Sequence, residues 1–281
     1  MRPLLYDSHM HTPLCKHAQG EPEEYAAVAE QRGLKGIIIT DHNPMEMEWG
    51  VHLRMTFAQF DAYLALVERA RREWAGRVDV RLGIESDYAP GMEPALEKLH
   101  RMADFNHVLG SVHPHISQYK KLYCDPNDPV GFQRTYFTHL AMAAETGLFD
   151  TISHPDLVKN NFPSQWNPGR IMDHIDAVLD RIARTGVAME LNTSGLLKDI
   201  QEMNPGRLIL GKILLRNIPI VLGSDSHRPV RVGADFEEAL DTLADVGFTH
   251  VSFFLNRHRQ DIPIEAARAS LKSASVVAEA L

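Results

Sequence analysis

A regular alternation between short apolar runs and longer amphipathic stretches constrains the fold more than any other feature of this sequence. The run from Gly36 to Thr40 is rich in β-branched residues, as is typical of a strand buried on both faces. The stretch from Thr56 to Ala75 has the composition of a long helix with Thr56 as its N-cap. Because such segments alternate throughout, the sequence predicts a parallel sheet with right-handed crossovers.

A doubly wound open sheet and a closed barrel both satisfy this alternation. The spacing is even and no composition shift marks a second domain. We therefore predict a single α/β domain over residues 1–281, a TIM-like barrel with its active site at the C-terminal ends of the strands. The predicted strands are 4–7, 36–40, 78–84, 107–112, 151–153, 187–191 and 219–223, with a short eighth at 250–255. The predicted helices are 21–32, 56–75, 94–102, 129–146, 168–185, 206–216, 236–244 and one that begins near residue 264.

Charge and cysteine content argue against several classes of function. The net charge of −8 leaves no excess of lysine and arginine for a nucleic-acid backbone, so no nucleic-acid partner is expected. Cys15 and Cys124 are too few for a disulfide framework, which favours a cytoplasmic protein. No apolar run approaches the ~18 residues of a membrane span, and the N-terminus lacks the apolar length of a signal peptide.

Histidine is abundant, with 15 copies, and its placement is more informative than its number. Metal-type side chains follow all seven predicted strands, and in a parallel barrel these strand ends share one face. The residues in these positions are His9, His11, His17, Asp41, His42, Glu85, Asp87, His113, His115, His154, Asp156, Glu190, Asn192, Asp225 and His227. The remaining histidines lie inside predicted helices, at the start of a strand, or at no strand end, and are interpreted as packing or surface residues.

The spacing within two motifs suits a shared ion. In an extended segment the side chains of residues i and i+2 point to the same side, so His9 and His11 can reach one ion. Asp225 and His227 have the same spacing, although two neighbouring ions could divide that pair. Imidazole nitrogen combined with carboxylate oxygen suits Zn, Fe or Mn better than Ca or Mg.

Four motifs together are more specific than any one of them: His9-x-His11, Thr40-Asp41-His42, the isolated His113, and the segment GSDSH at 223–227. On these the chain resembles the PHP superfamily of metal-dependent phosphoesterases, over nearly its whole length. Within that superfamily it is most similar to PHP-type histidinol-phosphate phosphatases, on the segments DSHMHTPLCKHA, ITDHNPM, GSVH, SHPDLVK, ELNTSGL and GSDSHRP.

The resemblance implies a distorted barrel of seven β/α units and a centre of three divalent metal ions. The first ion would be held by His9, His11, Glu85 and Asp225. The second would be held by Glu85, His113 and His154, with Glu85 bridging the two. The third would be held by His17, His42 and His227. Each position carries the expected residue type, so an active enzyme is expected.

The resemblance also implies a small phosphate monoester as substrate, with L-histidinol phosphate hydrolysed to L-histidinol and phosphate in histidine biosynthesis. Similar enzymes often place an arginine after the GL of the NTSGL segment, where this chain has Leu197 followed by Lys198. Lysine offers a charge to phosphate but lacks the planar fork of arginine. Lys198 is therefore one predicted phosphate-binding residue, and Lys159 and Arg228 are two others.

The mechanism expected for such a centre is metal-assisted hydrolysis. A metal-bound hydroxide would attack phosphorus in line with the departing alkoxide, without a phosphoenzyme. Asp41, His115 and a metal-bound water are alternative proton donors to the leaving group. Glu85 is expected to matter most, since its loss would remove a ligand from two ions at once.

Three other interpretations remain open. The first is another PHP activity, a general phosphoesterase or a 3′–5′ nuclease. The second is a metal-binding protein without catalytic function. The third is an amidohydrolase-like C–N hydrolase, against which the third ion and the lysines argue. The segment 115–128, long, polar and without regular periodicity, is a candidate lid over the site.

Overall fold

The computed structural model describes residues 3–45 and 48–272, and in this part of the chain nine strands form one sheet in sequence order. The first seven pair in parallel with their neighbours. The strands are β1 Tyr6–Asp7, β2 Gly36–Ile39, β3 Asp79–Asp87, β4 His107–Ser111, β5 Thr151–Ile152, β6 Ala188–Asn192, β7 Ile220–Gly223, β8 His250–Leu255 and β9 His258–Pro263.

The sheet closes on itself between β1 and β7. Ser8 N donates to Leu222 O at 3.3 Å, and two further backbone hydrogen bonds join His11 and His9 to Ser226 just beyond the strands (2.9 and 3.3 Å). Seven parallel strands therefore form a ring, which confirms the predicted barrel. We refer to the contact between β1 and β7 as the closing seam.

Helices cover the outside of the ring. The α-helices are α1 Pro22–Arg32, α2 Phe60–Glu73, α3 Glu93–His100, α4 Ser117–Tyr123, α5 Pro129–Glu145, α6 Met172–Ala183, α7 Arg207–Leu214, α8 Phe236–Val246 and α9 Ile264–Ser270. On α6 the buried residues Ile175, Val178, Leu179 and Ile182 recur at helical spacing, which turns one apolar stripe toward the sheet. No helix among these is long and apolar enough to cross a membrane.

Two elements differ from the sequence-based prediction. The segment 115–128 contains α4, a helix that was missed because Tyr119 is its one buried residue and no periodic apolar pattern results. Strand β9 was also missed, because four of its six residues are exposed in succession and the run lacks apolar alternation. It is an edge strand, paired antiparallel with β8.

The β8–β9 hairpin seals the amino-terminal end of the ring. Its turn residues Asn256 and Arg257 both have positive φ, as a tight hairpin turn requires. Arg257 N donates to Asn106 O at 3.0 Å, and Arg257 Nε pairs with Asp150 Oδ2 at 2.5 Å. Asn106 and Asp150 directly precede β4 and β5, so the hairpin lies at the opposite end from the strand ends that carry the histidines.

Candidate metal centre

The loops after the strands bring the predicted ligands together at the carboxyl end of the ring. The loop after β1 is fixed by Asp7, whose carboxylate accepts hydrogen bonds from Ser224 N at 3.0 Å and Gly233 N at 2.7 Å. Met10 N donates to Thr40 Oγ1 at 3.1 Å and ties the same loop to the end of β2. The chain around His9 and His11 is therefore held from both neighbouring strands.

Four of these side chains converge as the predicted first group. His9 Nε2 lies 3.4 Å from Glu85 Oε2 and 3.7 Å from Asp225 Oδ1. His11 Nε2 lies 3.5 and 3.2 Å from the same two oxygens. Two nitrogens and two oxygens from three strand ends thus face a common point.

The second group lies on the other side of Glu85. Its Oε1 is 3.3 Å from His113 Nε2 and 3.0 Å from His154 Nε2. The two oxygens of Glu85 therefore face different pairs of histidines, which is the arrangement that a bridging carboxylate requires.

The predicted third group is looser. The ring centre of His17 lies 4.5 Å from that of His227 and 5.6 Å from that of His42. His42 Nδ1 lies 2.8 Å from Glu85 Oε2, outside hydrogen-bonding geometry, so this residue also adjoins the first group. The structure adds Cys15, which sequence reasoning missed: its sulfur lies within 4.8 Å of donor nitrogens of His17 and His227.

Unpaired buried atoms test whether this constellation suits metal ions. His9 Nε2, His11 Nε2, His42 Nδ1, His227 Nε2 and Glu85 Oε2 are buried without a hydrogen-bond partner among the described residues. A buried polar atom without a partner is costly, and a folded protein rarely collects several in one place. Imidazole and carboxylate donors that converge in this way fit divalent ions of the Zn, Fe or Mn type.

Other groups fix which nitrogen of each imidazole faces the centre. Glu190 Oε1 lies 2.8 Å from His9 Nδ1, and Asp87 Oδ1 lies 2.9 Å from His113 Nδ1. The backbone oxygens of Cys15 and Asp225 hold Nδ1 of His17 and His227 at 2.7 and 2.9 Å. In all four rings Nε2 is left to face the centre, as in metal sites whose histidines are oriented by a carboxylate or carbonyl.

Asp87 is in turn held by residues far from it in sequence. Its Oδ2 accepts hydrogen bonds from Arg54 Nη2 at 2.6 Å and Trp49 Nε1 at 2.9 Å. The sequence offered one signal for this role of Asp87. It lies two residues after Glu85 on β3, so the two side chains point to the same side of the strand.

The local electrostatic field favours the ionised form of the two predicted ligand carboxylates. Burial alone would raise the pKa of Glu85, but the surrounding imidazoles of His42, His9 and His113 hold that pKa well below its usual range. Burial likewise opposes ionisation of Asp225, yet His9 and His11 hold its pKa well below the usual value. Both groups are therefore available as anionic ligands.

Asp41, one of the predicted proton donors, is not placed for that role. It is fully buried, accepts the hydroxyl of Thr12 and the amide of His42, and lies 3.6 Å from His11 Nδ1. It does not line the cavity over the centre. We correct its assignment to a buried residue that ties the loop after β1 to the end of β2 through Thr12 and His42.

Lys159, one of the predicted phosphate-binding residues, is also placed elsewhere. Its side chain is fully buried, and Nζ donates to Met203 O at 2.8 Å while pairing with Asp156 (3.2 Å) and Glu202 (3.3 Å). The ammonium ties the loop after β5 to the chain before α7. It is therefore withdrawn from the substrate-binding residues.

A cavity of about 600 Å³ opens over the centre. The predicted residues His115, Lys198 and Arg228 line it, and sequence reasoning missed Lys120, Asn160 and Asn161 in its wall. Of the described lining residues, Asp225 alone carries a carboxylate, so the wall outside the ligands is neutral or positive.

Comparisons with known proteins agree with this architecture. Residues 7–194 match the PHP domain family. A Deinococcus radiodurans protein named "Probable histidinol-phosphatase" is 39% identical over 269 residues, covering 92% of this chain and 99% of its own. The histidinol-phosphatase of Bacillus subtilis is 23% identical, covering 84% and 98%.

A solved structure gives the same fold. The histidinol phosphate phosphatase of Lactococcus lactis, complexed with zinc, L-histidinol and phosphate, superposes with a TM-score of 0.78 at 17% identity, covering 91% of this chain and 98% of its own. The family match spans β1 to β6 and most of the predicted ligands, and the Deinococcus relative aligns over almost its entire length. This chain belongs to the PHP domain family.

Proposed function

We propose that this protein is a metal-dependent phosphatase that hydrolyses L-histidinol phosphate to L-histidinol and phosphate. The observation that carries the proposal is Glu85, whose two oxygens face two separate groups of histidines under a cavity with a cationic wall. The name of the Deinococcus relative, at 39% identity over nearly full length, supports the choice of substrate.

The proposed ligand sets are those that the sequence analysis assigned to three ions. When bound, divalent ions supply a Lewis acid that activates water and neutralises charge on the phosphoryl oxygens. Lys198 and Arg228, which line the cavity beside Asp225, attract the phosphate dianion. Water adds to phosphorus, the bond from phosphorus to the alcohol oxygen breaks, and that oxygen must gain a proton.

His115 is the side chain proposed to deliver that proton. It lines the cavity, and its ring centre lies 5.3 Å from that of His113. Unlike the buried Asp41, it opens onto the cavity. Burial and the neighbouring His113 lower the pKa of His115 to about 3 in the free protein, and a phosphate dianion bound beside the ring would raise that pKa so that it can hold a proton. A positioned general acid typically contributes a hundredfold or more when the leaving group is a poor one.

The first experiment compares substrates on the metal-loaded protein. We expect hydrolysis of L-histidinol phosphate at a kcat/KM well above that for p-nitrophenyl phosphate or an oligonucleotide 3′ end. Exhaustive chelation should abolish the activity, and Zn, Mn or Fe should restore it, with metal analysis giving the number of ions. Preferred cleavage of the oligonucleotide would favour the nuclease alternative, and full activity without metal would overturn the proposal.

The second experiment tests His115 with leaving groups of different basicity. His115→Gln should lower kcat for L-histidinol phosphate by roughly a hundredfold, because its alkoxide needs a proton. It should change kcat for p-nitrophenyl phosphate far less, since p-nitrophenolate leaves without one. An equal loss on both substrates would assign His115 a role other than proton donation.

A further inference from the structure

The helix α4 forms a fixed wall of the cavity. Tyr119 is fully buried, its hydroxyl lies 2.8 Å from His139 Nδ1, and its ring packs edge-on against Trp49 with centres 6.3 Å apart. The chain just before α4 is anchored too, because Asn161 Nδ2 donates to Pro114 O at 2.9 Å. These contacts hold α4 in place in the structure, so its exposed residues have defined positions relative to the centre.

Lys120 and Lys121 follow Tyr119 on this helix, and both are exposed. Only the first lines the cavity, because successive residues on a helix point about 100° apart. The Lys120 ammonium makes no hydrogen bond or ion pair with any residue in the described ranges 3–45 and 48–272. The long side chain therefore places an uncommitted positive charge at the cavity.

The position of Lys120 around the ring differs from that of the other two cations. It follows β4, whereas Lys198 follows β6 and Arg228 follows β7. It thus lies on the side of His113, which also follows β4, two strands round the ring from Lys198 and three from Arg228. The lone carboxylate among the described lining residues, Asp225, belongs to the loop after β7 on the far side.

We propose that Lys120 is a substrate-binding residue that holds the phosphoryl oxygens of the monoester from the α4 side, at a part of the wall separate from Lys198 and Arg228. This inference rests on the proposed phosphatase function. An ammonium that has no counter-ion in the wall stabilises a bound anion more than it stabilises a bound neutral group. A charge-assisted hydrogen bond to phosphate is also stronger than a hydrogen bond between neutral partners. Lys120 contributes affinity for phosphate whichever alcohol the phosphate carries.

The test uses Lys120→Met, which keeps the apolar stem and removes the charge, with Lys121→Met as the matched control. Binding of inorganic phosphate to the zinc-loaded protein is measured by calorimetry, and KM is measured for L-histidinol phosphate and p-nitrophenyl phosphate. Lys120→Met should weaken phosphate binding and raise both KM values by a similar factor, roughly fivefold to twentyfold, while Lys120→Arg retains most of the affinity. Lys121→Met should stay within twofold of the wild type.

Equal behaviour of the two methionine variants would overturn the proposal. A higher KM for L-histidinol phosphate alone, with unchanged phosphate binding, would also overturn it, since Lys120 would then contact the alcohol portion. Because phosphate binding needs no turnover, a wild-type protein that binds phosphate but hydrolyses neither ester would reject the proposed function and still decide the role of Lys120. Equal melting temperatures of the two variants check that both are folded.

Discussion

The two ends of the barrel differ in whether their buried polar groups have hydrogen-bond partners within the protein. At the amino end, Asp150 accepts hydrogen bonds from Arg257 Nε at 2.5 Å and Val108 N at 2.8 Å, so the protein itself satisfies the carboxylate. At the carboxyl end, Glu85 Oε2 and several imidazole nitrogens are buried without such partners. The same strands thus carry a carboxylate paired within the protein at one end and, at the other, a group of buried atoms free to bind a ligand.

The largest effect should follow from Glu85→Gln at the carboxyl end. The amide keeps the shape of the side chain but offers one oxygen in place of the two that face separate groups of histidines. We expect kcat/KM to fall by at least roughly a thousandfold, because charge stabilisation by two ions is lost together. Metal content per chain should fall in parallel, as measured on the purified variant. Wild-type metal content and activity would show that Glu85 does not bridge two ions.

Asp87→Asn should have an intermediate effect on metal binding, because Asp87 orients His113 and is not itself a proposed metal ligand. Loss of the carboxylate weakens the hold on His113 Nδ1 and leaves Arg54 without its charged partner. Metal affinity, measured by competition with a chelator, should drop by about tenfold to a hundredfold. Asp104→Asn makes the same chemical change at an exposed position and serves as the control. Equal affinities of the two variants would exclude the orienting role.

The smallest effect on chemistry is expected at the amino end. Arg257→Ala leaves Asp150 nearly buried without its guanidinium, and should lower the free energy of unfolding by about 2 kcal/mol. The kcat of the folded fraction should not change. Arg259→Ala, which removes an exposed pair with Asp261 on the same hairpin, should cost less than about 1 kcal/mol. Urea unfolding measures the free energy of unfolding of both variants. A loss of metal binding in Arg257→Ala would contradict the expectation that the amino end does not affect the carboxyl end of the barrel.

The sequence was most informative where the position of a residue along a strand determines the direction of its side chain. The resemblance to the PHP superfamily implied which side chains would share the first ion, and the structure brings those four together. The i and i+2 spacing placed His9 and His11 on one side of the chain, and the rule that parallel strands end on one face placed Glu85 and Asp225 near them. Both follow from backbone direction, which a periodic pattern reveals.

The sequence was least informative where a side chain's partner is distant in the chain. In the sequence Lys159 has no visible partner, but in the fold it pairs with Glu202. Asp87 is held in place by Arg54, which lies 33 residues away in the sequence. Lys120 was missed because α4 itself was missed: Tyr119 is the one buried residue of this helix, and its partners His139 and Trp49 are distant in the sequence. Charge pairing across loops is a tertiary property, so composition and spacing could not have supplied it.

The closing seam has a consequence for the order in which this chain can fold during synthesis. The edge of β1 pairs with Leu222 and Ser226, and Asp7 is hydrogen-bonded by Ser224 and Gly233, all more than 200 residues later. A ribosome that has delivered only the first six strands has therefore made an open sheet with two unpaired edges, those of β1 and β6, and a carboxylate without its partners. Contacts this distant in sequence form slowly, and an open strand edge is a template for association with other chains. The nascent protein is most vulnerable to mispairing in the interval before β7 emerges.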